Sequence, residues 1–506
     1  MPKPKSLLKE TSKAKKKAGR VQKEPDTADE YLAAGVDHEE AGEKWRAGDP
    51  VKSMRFFMRA IETYENGLGR FRESFDLAYN KARVQYEMTQ HPKLAAQLPA
   101  SLVEILQVAL RSHRVALGLQ QDNTDILFNT AQVLTSLAEA VTEGKRHSEQ
   151  QQKQEEAMEW LREALELLQR CLTLQELRLT ESEEQMEEME SGASEEPSGG
   201  DGAAMMGQET RQGSTDPEEQ EQWAAVIEPI TKSTLVDTAI AQLETLATLC
   251  GLLTFDHGSV VAWVEEYSSS LLKERIASYI EGTGRQHELL LAKAKFMSAM
   301  TDVSYRSGRI DLETYKRELG SAFEDGLDLS NDPDGLCSRA EALIAFNSSV
   351  SDSALLHQPD TLAQSTSLRW QALSSALDSL TAASKLPQAE NLPKIHIARG
   401  DVEVYRWQLG RPPWNYAASS GNSATLLKNA QTYYRGAAAL AQRDGAASVQ
   451  TDASSKEAIA LAIAGDGAKL DPLIANSKGS VVAVAEEMIE EGLVAAEDME
   501  SLFSPS

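Results

Sequence analysis

Residues 48–68, GDPVKSMRFFMRAIETYENGL, contain the pattern that decides the fold. Apolar side chains return every three or four positions, which is the period of an amphipathic α-helix. Asp49 can cap such a helix and Pro50 suits its first turn. A small–x3–bulky–x2–Ala spacing puts three side chains on one helix face, namely Ser53, Phe57 and Ala60. We predict that the small residues let a partner helix approach while the bulky residue fills the gap.

The same spacing recurs further along the chain, which indicates a repeated structural unit. Its members are Ala157, Leu161, Ala164, Ala376, Leu380, Ala383, Ala430, Tyr434 and Ala437. Gly48 precedes the first copy, in the predicted turn between two helices of a pair. Two other helices match each other as Tyr79-Asn80-x-Ala82-x-Val84 and Phe128-Asn129-x-Ala131-x-Val133.

These motifs resemble the tetratricopeptide-repeat family, whose units combine Gly, Ala, Phe/Tyr, Ala and Pro at comparable positions. The resemblance implies an all-α, right-handed helical solenoid, here interrupted by a disordered acidic loop. It also implies a groove whose Asn side chains meet an extended peptide. The predicted partner-binding groove residues are Asn80, Lys81, Arg83, Asn129 and Gln132. The alternative is that they are ordinary polar residues on solvent-facing helix edges. The family's Lys/Asn/Arg clamp is not evident, since His38 and Gly42 stand at its first positions.

Charge divides the chain unevenly. Its net charge is −27, but residues 1–23 hold nine basic residues and one acid, so the remaining 42 basic and 77 acidic residues leave −35. Such a body repels nucleic-acid phosphates and attracts basic proteins. We therefore predict a basic protein as partner and no direct nucleic-acid binding by the acidic body.

Composition shifts predict five segments. The segment 181–221 holds 14 acids and one base and has too few apolar residues to fold by burial. The basic tail is either a nuclear-import sequence or a solvated tail, so the expected location is cytoplasmic, nuclear or both. The segments are a disordered basic tail (1–26), N-terminal repeats (27–180), a disordered acidic loop (181–221), C-terminal repeats (222–444) and an acidic helical cap with a frayed end (445–506).

Motifs for chemistry are missing from the sequence. The eight histidines form no HExxH, the three cysteines stand far apart, and there is no GxxxxGK[ST] or GxGxxG. No window approaches the roughly 20 uninterrupted apolar residues of a membrane span. We predict no enzyme activity, cofactor, metal, small-molecule substrate or membrane contact. The stretch 260–267 and the group Trp407, Trp414, Tyr416 are either an aromatic binding patch or ordinary core.

Two further resemblances suggest functions. FFMRAIETYENGLGRFRES (56–74), DNTDILFNTAQVLTSLAEAV (122–141) and the Lys-rich start are similar to the fungal enhancer-of-translation-termination family, which implies a regulatory adaptor for an enzyme or translation factor. The acidic loop within repeats resembles histone chaperones and dedicated ribosomal-protein chaperones. The main prediction is thus a non-enzymatic escort for a basic client, with the adaptor and an enzyme of unrecognised type as alternatives.

Overall fold

The computed structural model describes residues 25–142, 147–192, 230–253, 258–324, 326–354, 359–466, 470, 473 and 477–499. All regular secondary structure within these ranges is helical, so the predicted all-α fold is confirmed. The predicted basic tail lies outside the described residues, apart from Pro25 and Asp26.

The helices follow one another with short connections. In the first half they are α1 (Ala28–Arg46), α2 (Pro50–Arg70), α3 (Phe75–Gln90), α4 (Pro92–Ala95), α5 (Leu102–Leu119), α6 (Thr124–Thr142), α7 (His147–Gly192), α8 (Lys232–Leu252) and α9 (Gly258–Ser270). A π-helical turn, Leu271–Arg275, leads into α10 (Ile276–Ile280), α11 (Gln286–Arg306), α12 (Leu312–Glu324), α13 (Pro333–Ala354), α14 (Pro359–Ala383), α15 (Leu392–Gln408), α16 (Ala417–Ser420), α17 (Ser423–Asp444), α18 (Ala447–Ile463) and α19 (Lys478–Glu490).

Two compact units divide the chain. The first comprises Met1–Thr245 and Leu271–Thr283, and the second comprises Leu246–Ser270 and Gly284–Ser506. The division therefore falls inside α8, and not at the acidic segment where the sequence analysis separates the two sets of repeats. Burial explains the difference, because the first half of α8 buries Leu235, Val236 and Ala239 and is core of the first unit.

In the first unit, neighbouring helices pack in succession: α1 on α2, α2 on α3, α3 on α5, α5 on α6 and α6 on α7. Side-chain caps fix where several of them begin. Asp49 accepts the Lys52 backbone N–H at 2.9 Å and Pro50 opens α2, as predicted. Thr27 with Glu30 closes a capping box at the start of α1, which satisfies backbone donors that the first helical turn leaves unpaired.

The second unit shows the same succession. Helix α13 packs on α14, α14 on α15, α15 on α17, α17 on α18 and α18 on α19. One continuous apolar core runs from Ala294 to Met499. The predicted cap contributes to it, since α18 buries Ile459 and α19 buries Val481.

The repeat residues lie at the centre of this packing. Each small or bulky member of the four motifs, from Ser53 to Ala437, is at most 2% exposed. Gly48 is different, because it lies in an exposed turn where an added Cβ would meet nothing within 4 Å. Packing does require glycine at several other positions, among them Gly35 and Gly400, where a Cβ would come within 2.1 Å and 2.3 Å of ring carbons of Tyr64 and Tyr434.

Helix α7 corrects the predicted start of the acidic loop. It continues through Gly192, so residues 181–192 are helical, and 193–221 lie outside the described residues. Glu, Gln and Met favour helices even where no partner covers them, which accounts for the extension. We call residues 181–192 the acidic extension; its described side chains, 181–186 and 188, are exposed.

Helix α8 is long and apolar enough to cross a membrane, judged by length and composition alone. However, 67% of its apolar window is buried inside the protein. Core helices of globular proteins have this same composition, so the feature is weak evidence for a membrane span.

Candidate protein-binding surfaces

The predicted groove residues are mostly interior, which corrects their expected exposure. Asn80, Arg83, Asn129 and Gln132 are 0–5% exposed, and Lys81 is half-buried with its Nζ 3.5 Å from Glu65 Oε1. Their position explains this, because neighbouring helices cover α3 and α6. The Asn129 amide donates to the Tyr79 hydroxyl at 3.0 Å and so joins the two matching helices. Arg83, Lys81 and Asn129 therefore connect helices in this structure.

Arg83 is the centre of a buried polar cluster that joins α1, α2 and α3. Its guanidinium donates to the Glu39 carboxylate and, at 2.9 Å, to Glu87 Oε2. Glu39 also accepts a hydrogen bond from the Tyr64 hydroxyl. Burial raises the pKa of Glu39, and the Arg83 charge opposes that rise. A buried carboxylate with two donors is satisfied, whereas an isolated one would be costly.

The second unit repeats this arrangement with different residues. Asp401 on α15 accepts the Tyr434 hydroxyl from α17 at 2.8 Å and the Lys456 ammonium from α18 at 3.0 Å. Each unit thus has a cluster formed by an acid on one helix, a tyrosine on the next and a cation on the third. In each unit the ring of that tyrosine also covers a glycine on the helix that carries the acid. We call these two groups the acid–tyrosine–cation clusters. No motif along a single helix reveals these clusters, because the partners come from three separate helices.

Glu43 adds a titratable group at the edge of the first cluster. Burial, together with a hydrogen bond and repulsion from Glu87, raises the pKa of Glu43 to about 7, while Arg46 opposes the shift. Glu39 and Arg83 are the nearby charged groups of the cluster, and the Arg46 guanidinium lies 2.8 Å from His91 Nε2.

We expect Glu43→Gln to change how stability depends on pH. The pKa of Glu43 is 4.5 in the unfolded chain and about 7 in the folded protein, so between these pH values the folded protein holds a proton that the unfolded chain has lost. Stability therefore falls as the pH rises through that window. The amide removes this loss, so the variant should gain about 1 kcal/mol at pH 8, a value discounted because the side chain is 40% exposed.

Urea unfolding at pH 5 and pH 8 measures this effect. Glu40→Gln, an exposed change on the same helix, is the control and should leave the pH dependence as in the parent. Equal pH dependence for Glu43→Gln and the parent protein would contradict the prediction.

The aromatic group near residue 410 belongs to the core and its rim. Trp407 is 4% exposed and its indole donates to Ser423 Oγ at 3.0 Å. The Arg369 guanidinium lies 4.1 Å from the ring centre of Trp414. In the stretch 260–267, Val260, Val261 and Val264 are buried. Packing therefore uses most of the apolar surface that could have formed a binding patch.

Burial holds two cysteines and one histidine in unreactive states. Burial raises the pKa of Cys250 to about 12 and of Cys337 to about 11, which disfavours the thiolate at neutral pH. Burial also lowers the pKa of His113 to about 4. Within the part of the chain that the structure describes, no group of three His, Cys, Asp or Glu side chains could hold a metal ion.

Helices that pack in succession through small and bulky residues, with the same polar cluster in both units, define an all-α protein built from a repeated helical arrangement. No protein-family model matches the chain.

Two yeast proteins are similar to parts of the chain. UPF0656 protein C926.02 of Schizosaccharomyces pombe is 37% identical over 125 residues, which are 25% of this chain and 27% of that protein. Uncharacterized protein YNL193W of Saccharomyces cerevisiae is 32% identical over 62 residues, 12% of this chain and 11% of that protein. The matches thus span about a quarter of the first relative and about a tenth of the second. None of these similarities supports the resemblance to the enhancer-of-translation-termination family.

Two solved structures align over 94% of the chain. One is a circular tandem repeat protein, 14% identical with a TM-score of 0.28, of which 97% is covered. The other is the APC/C hetero-tetramer Cut9-Hcn1, 13% identical with a TM-score of 0.16, of which 98% is covered. Scores this low carry no argument, and the fold assignment rests on the helices and packing described above.

Proposed function

We propose that this protein is a non-enzymatic escort that binds a basic client protein, such as a ribosomal protein or a histone, in the cytoplasm or nucleus. The observation that supports it is the acidic extension. Glu181, Glu183 and Glu184 are exposed there, and no basic residue interrupts residues 181–192.

The polar clusters show which acids are paired inside the protein and which remain exposed to a client. Glu39 and Asp401 are neutralised by internal cations and cannot attract a client. Glu181, Glu183 and Glu184 of the extension are exposed instead. Attraction between such acids and a basic protein is a long-range Coulomb effect, so it weakens as salt rises.

We expect purified core histones or ribosomal proteins to bind the full chain at low salt and to bind much more weakly at high salt. Deleting 181–221 should weaken binding by at least about tenfold, because it removes most of the concentrated acid. Binding can be measured by fluorescence anisotropy of labelled client across a salt series.

A charge-only variant separates attraction from shape. Glu181→Gln, Glu183→Gln and Glu184→Gln together keep a helix-favouring side chain at each position and should weaken binding in the same direction as the deletion. If client affinity changed neither with salt nor in either variant, the escort proposal would be wrong. That result would favour a regulatory adaptor that recognises a peptide by shape. A labelled RNA should not bind the acidic body under the same conditions.

A further inference from the structure

A basic cleft lies in the second unit of this otherwise acidic protein. It has a volume of about 870 Å3 and is formed by the end of α15, the segment that follows it, α17 and the end of α18. Three cationic side chains line it, Arg411, Lys428 and Arg435, against one acid, Asp466. Asp498 and Glu457 pair with Arg411 and Arg435, so Lys428 carries the positive charge of this lining that no ion pair among the described residues offsets.

The cations of this cleft keep donors available for a ligand. Lys428 is exposed and has no ion pair among the residues that the structure describes. Arg435 uses its Nε to reach Glu457 at 2.8 Å, and its side chain is 59% exposed. Arg411 donates one terminal nitrogen to Asp498 at 2.8 Å. A guanidinium has five N–H donors, so each arginine can bind a further acceptor.

Neutral groups in the cleft are donors as well. The Ser423 hydroxyl oxygen accepts the Trp407 indole N–H, which leaves the hydroxyl proton for an acceptor in the cleft. Ser423 and Ala424 also form the first turn of the 22-residue helix α17, whose N-cap residue Asn422 makes no side-chain cap bond. The positive end of the helix dipole therefore adds to the cationic side chains.

The spacing of the cations indicates what kind of anion fits. Lys428 and Arg435 stand two turns apart on one face of α17, roughly 10 Å along the axis. Three residues of an extended peptide cover about the same distance. An extended acidic peptide therefore matches the separation of these two positions along the helix.

We propose that this cleft binds an extended acidic segment of a partner protein, with Lys428 and Arg435 contacting carboxylates along it. Because the chain as a whole is anionic, its overall field repels such a segment, and binding has to come from local donors. The proposal is independent of the escort function, which concerns basic clients and the first unit.

The test uses the full chain and a fluorescein-labelled peptide of about ten residues rich in Glu and Asp. Fluorescence anisotropy should show salt-sensitive binding, and a peptide with Gln and Asn in place of the acids should bind at least about tenfold more weakly. The double variant Lys428→Glu/Thr432→Glu should lose at least about tenfold in affinity. Neither substitution removes a member of the Arg435–Glu457 or Arg411–Asp498 pair.

The double variant Gln442→Glu/Arg443→Glu is the matched control, because it makes the same charge change at exposed positions of α17 outside the cleft. Circular dichroism verifies that both variants keep their helix content. An equal loss in the control, or equal binding of the neutral peptide, would overturn the proposal.

Two further arms define the occupant. Inorganic tripolyphosphate should compete only weakly, and competition as strong as that of the unlabelled peptide would make the cleft a small-anion site. Deleting 181–221 removes 14 acids and one base, so it should weaken the repulsion and raise the peptide affinity only slightly. If the peptide bound strongly only to the deletion variant, the occupant of the cleft would be this chain's own acidic segment and not a partner protein.

Discussion

Replacing Arg83 with alanine is expected to lower the free energy of unfolding by about 3–5 kcal/mol. The guanidinium is 6% exposed and is the cation that Glu39 contacts in the first acid–tyrosine–cation cluster. Removing it leaves a buried carboxylate without its counter-charge. The loss should be larger at pH 8 than at pH 5, because without Arg83 the pKa of Glu39 rises further and a protonated Glu39 needs no cation.

Urea unfolding at the two pH values measures this loss. Lys81→Ala removes a cation from the same helix whose partner, Glu65, is mostly exposed, and it should cost less than about 1 kcal/mol. The double variant Glu39→Gln/Arg83→Met replaces the ion pair with neutral side chains and should recover most of the stability. A double variant as unstable as Arg83→Ala would show that the loss comes from packing and not from charge.

Gly35→Ala is expected to destabilise the first unit by about 2–3 kcal/mol, and Gly400→Ala should do the same in the second. The added methyl groups would lie 2.1 Å and 2.3 Å from ring carbons of Tyr64 and Tyr434, which are fully buried and cannot move aside. Alanine's better helix propensity offsets only about 1 kcal/mol of this strain.

Thermal and urea unfolding of each variant measure the effect. The control is Gly69→Ala in α2, where a methyl group meets nothing within 4 Å and stability should stay the same or rise slightly. Gly35→Ala should cost less when it is introduced into a Tyr64→Leu background than into the parent protein, since the ring is then absent from the methyl group's position. No difference between Gly35→Ala and Gly69→Ala would contradict the close packing of α1 on α2.

The fold was largely predictable because its determinants are local. Helix periodicity, the Asp49-Pro50 start and the spacing of Ser53, Phe57 and Ala60 depend on neighbours a few residues apart. The same local rules explain why the predicted start of the acidic loop was misplaced: residues 181–192 contain few apolar side chains but strong helix formers.

The candidate site was less predictable because exposure depends on other helices. Asn80 and Asn129 stand where a solvent-facing groove is expected, yet adjacent helices cover them. The acid–tyrosine–cation clusters and the basic cleft combine residues separated by tens of positions, such as Arg411 and Lys428 or Glu39 and Arg83. No spacing rule along one helix could have linked these residues.

The acid–tyrosine–cation clusters also limit how the helices can slide. Faces rich in alanine and leucine pack almost equally well after a shift of one turn, because one small residue replaces another. Such a shift in either unit would leave a carboxylate, a hydroxyl and a cation buried without partners at the same time. Each cluster therefore penalises every register but one, which gives a helical array of otherwise interchangeable contacts a unique alignment.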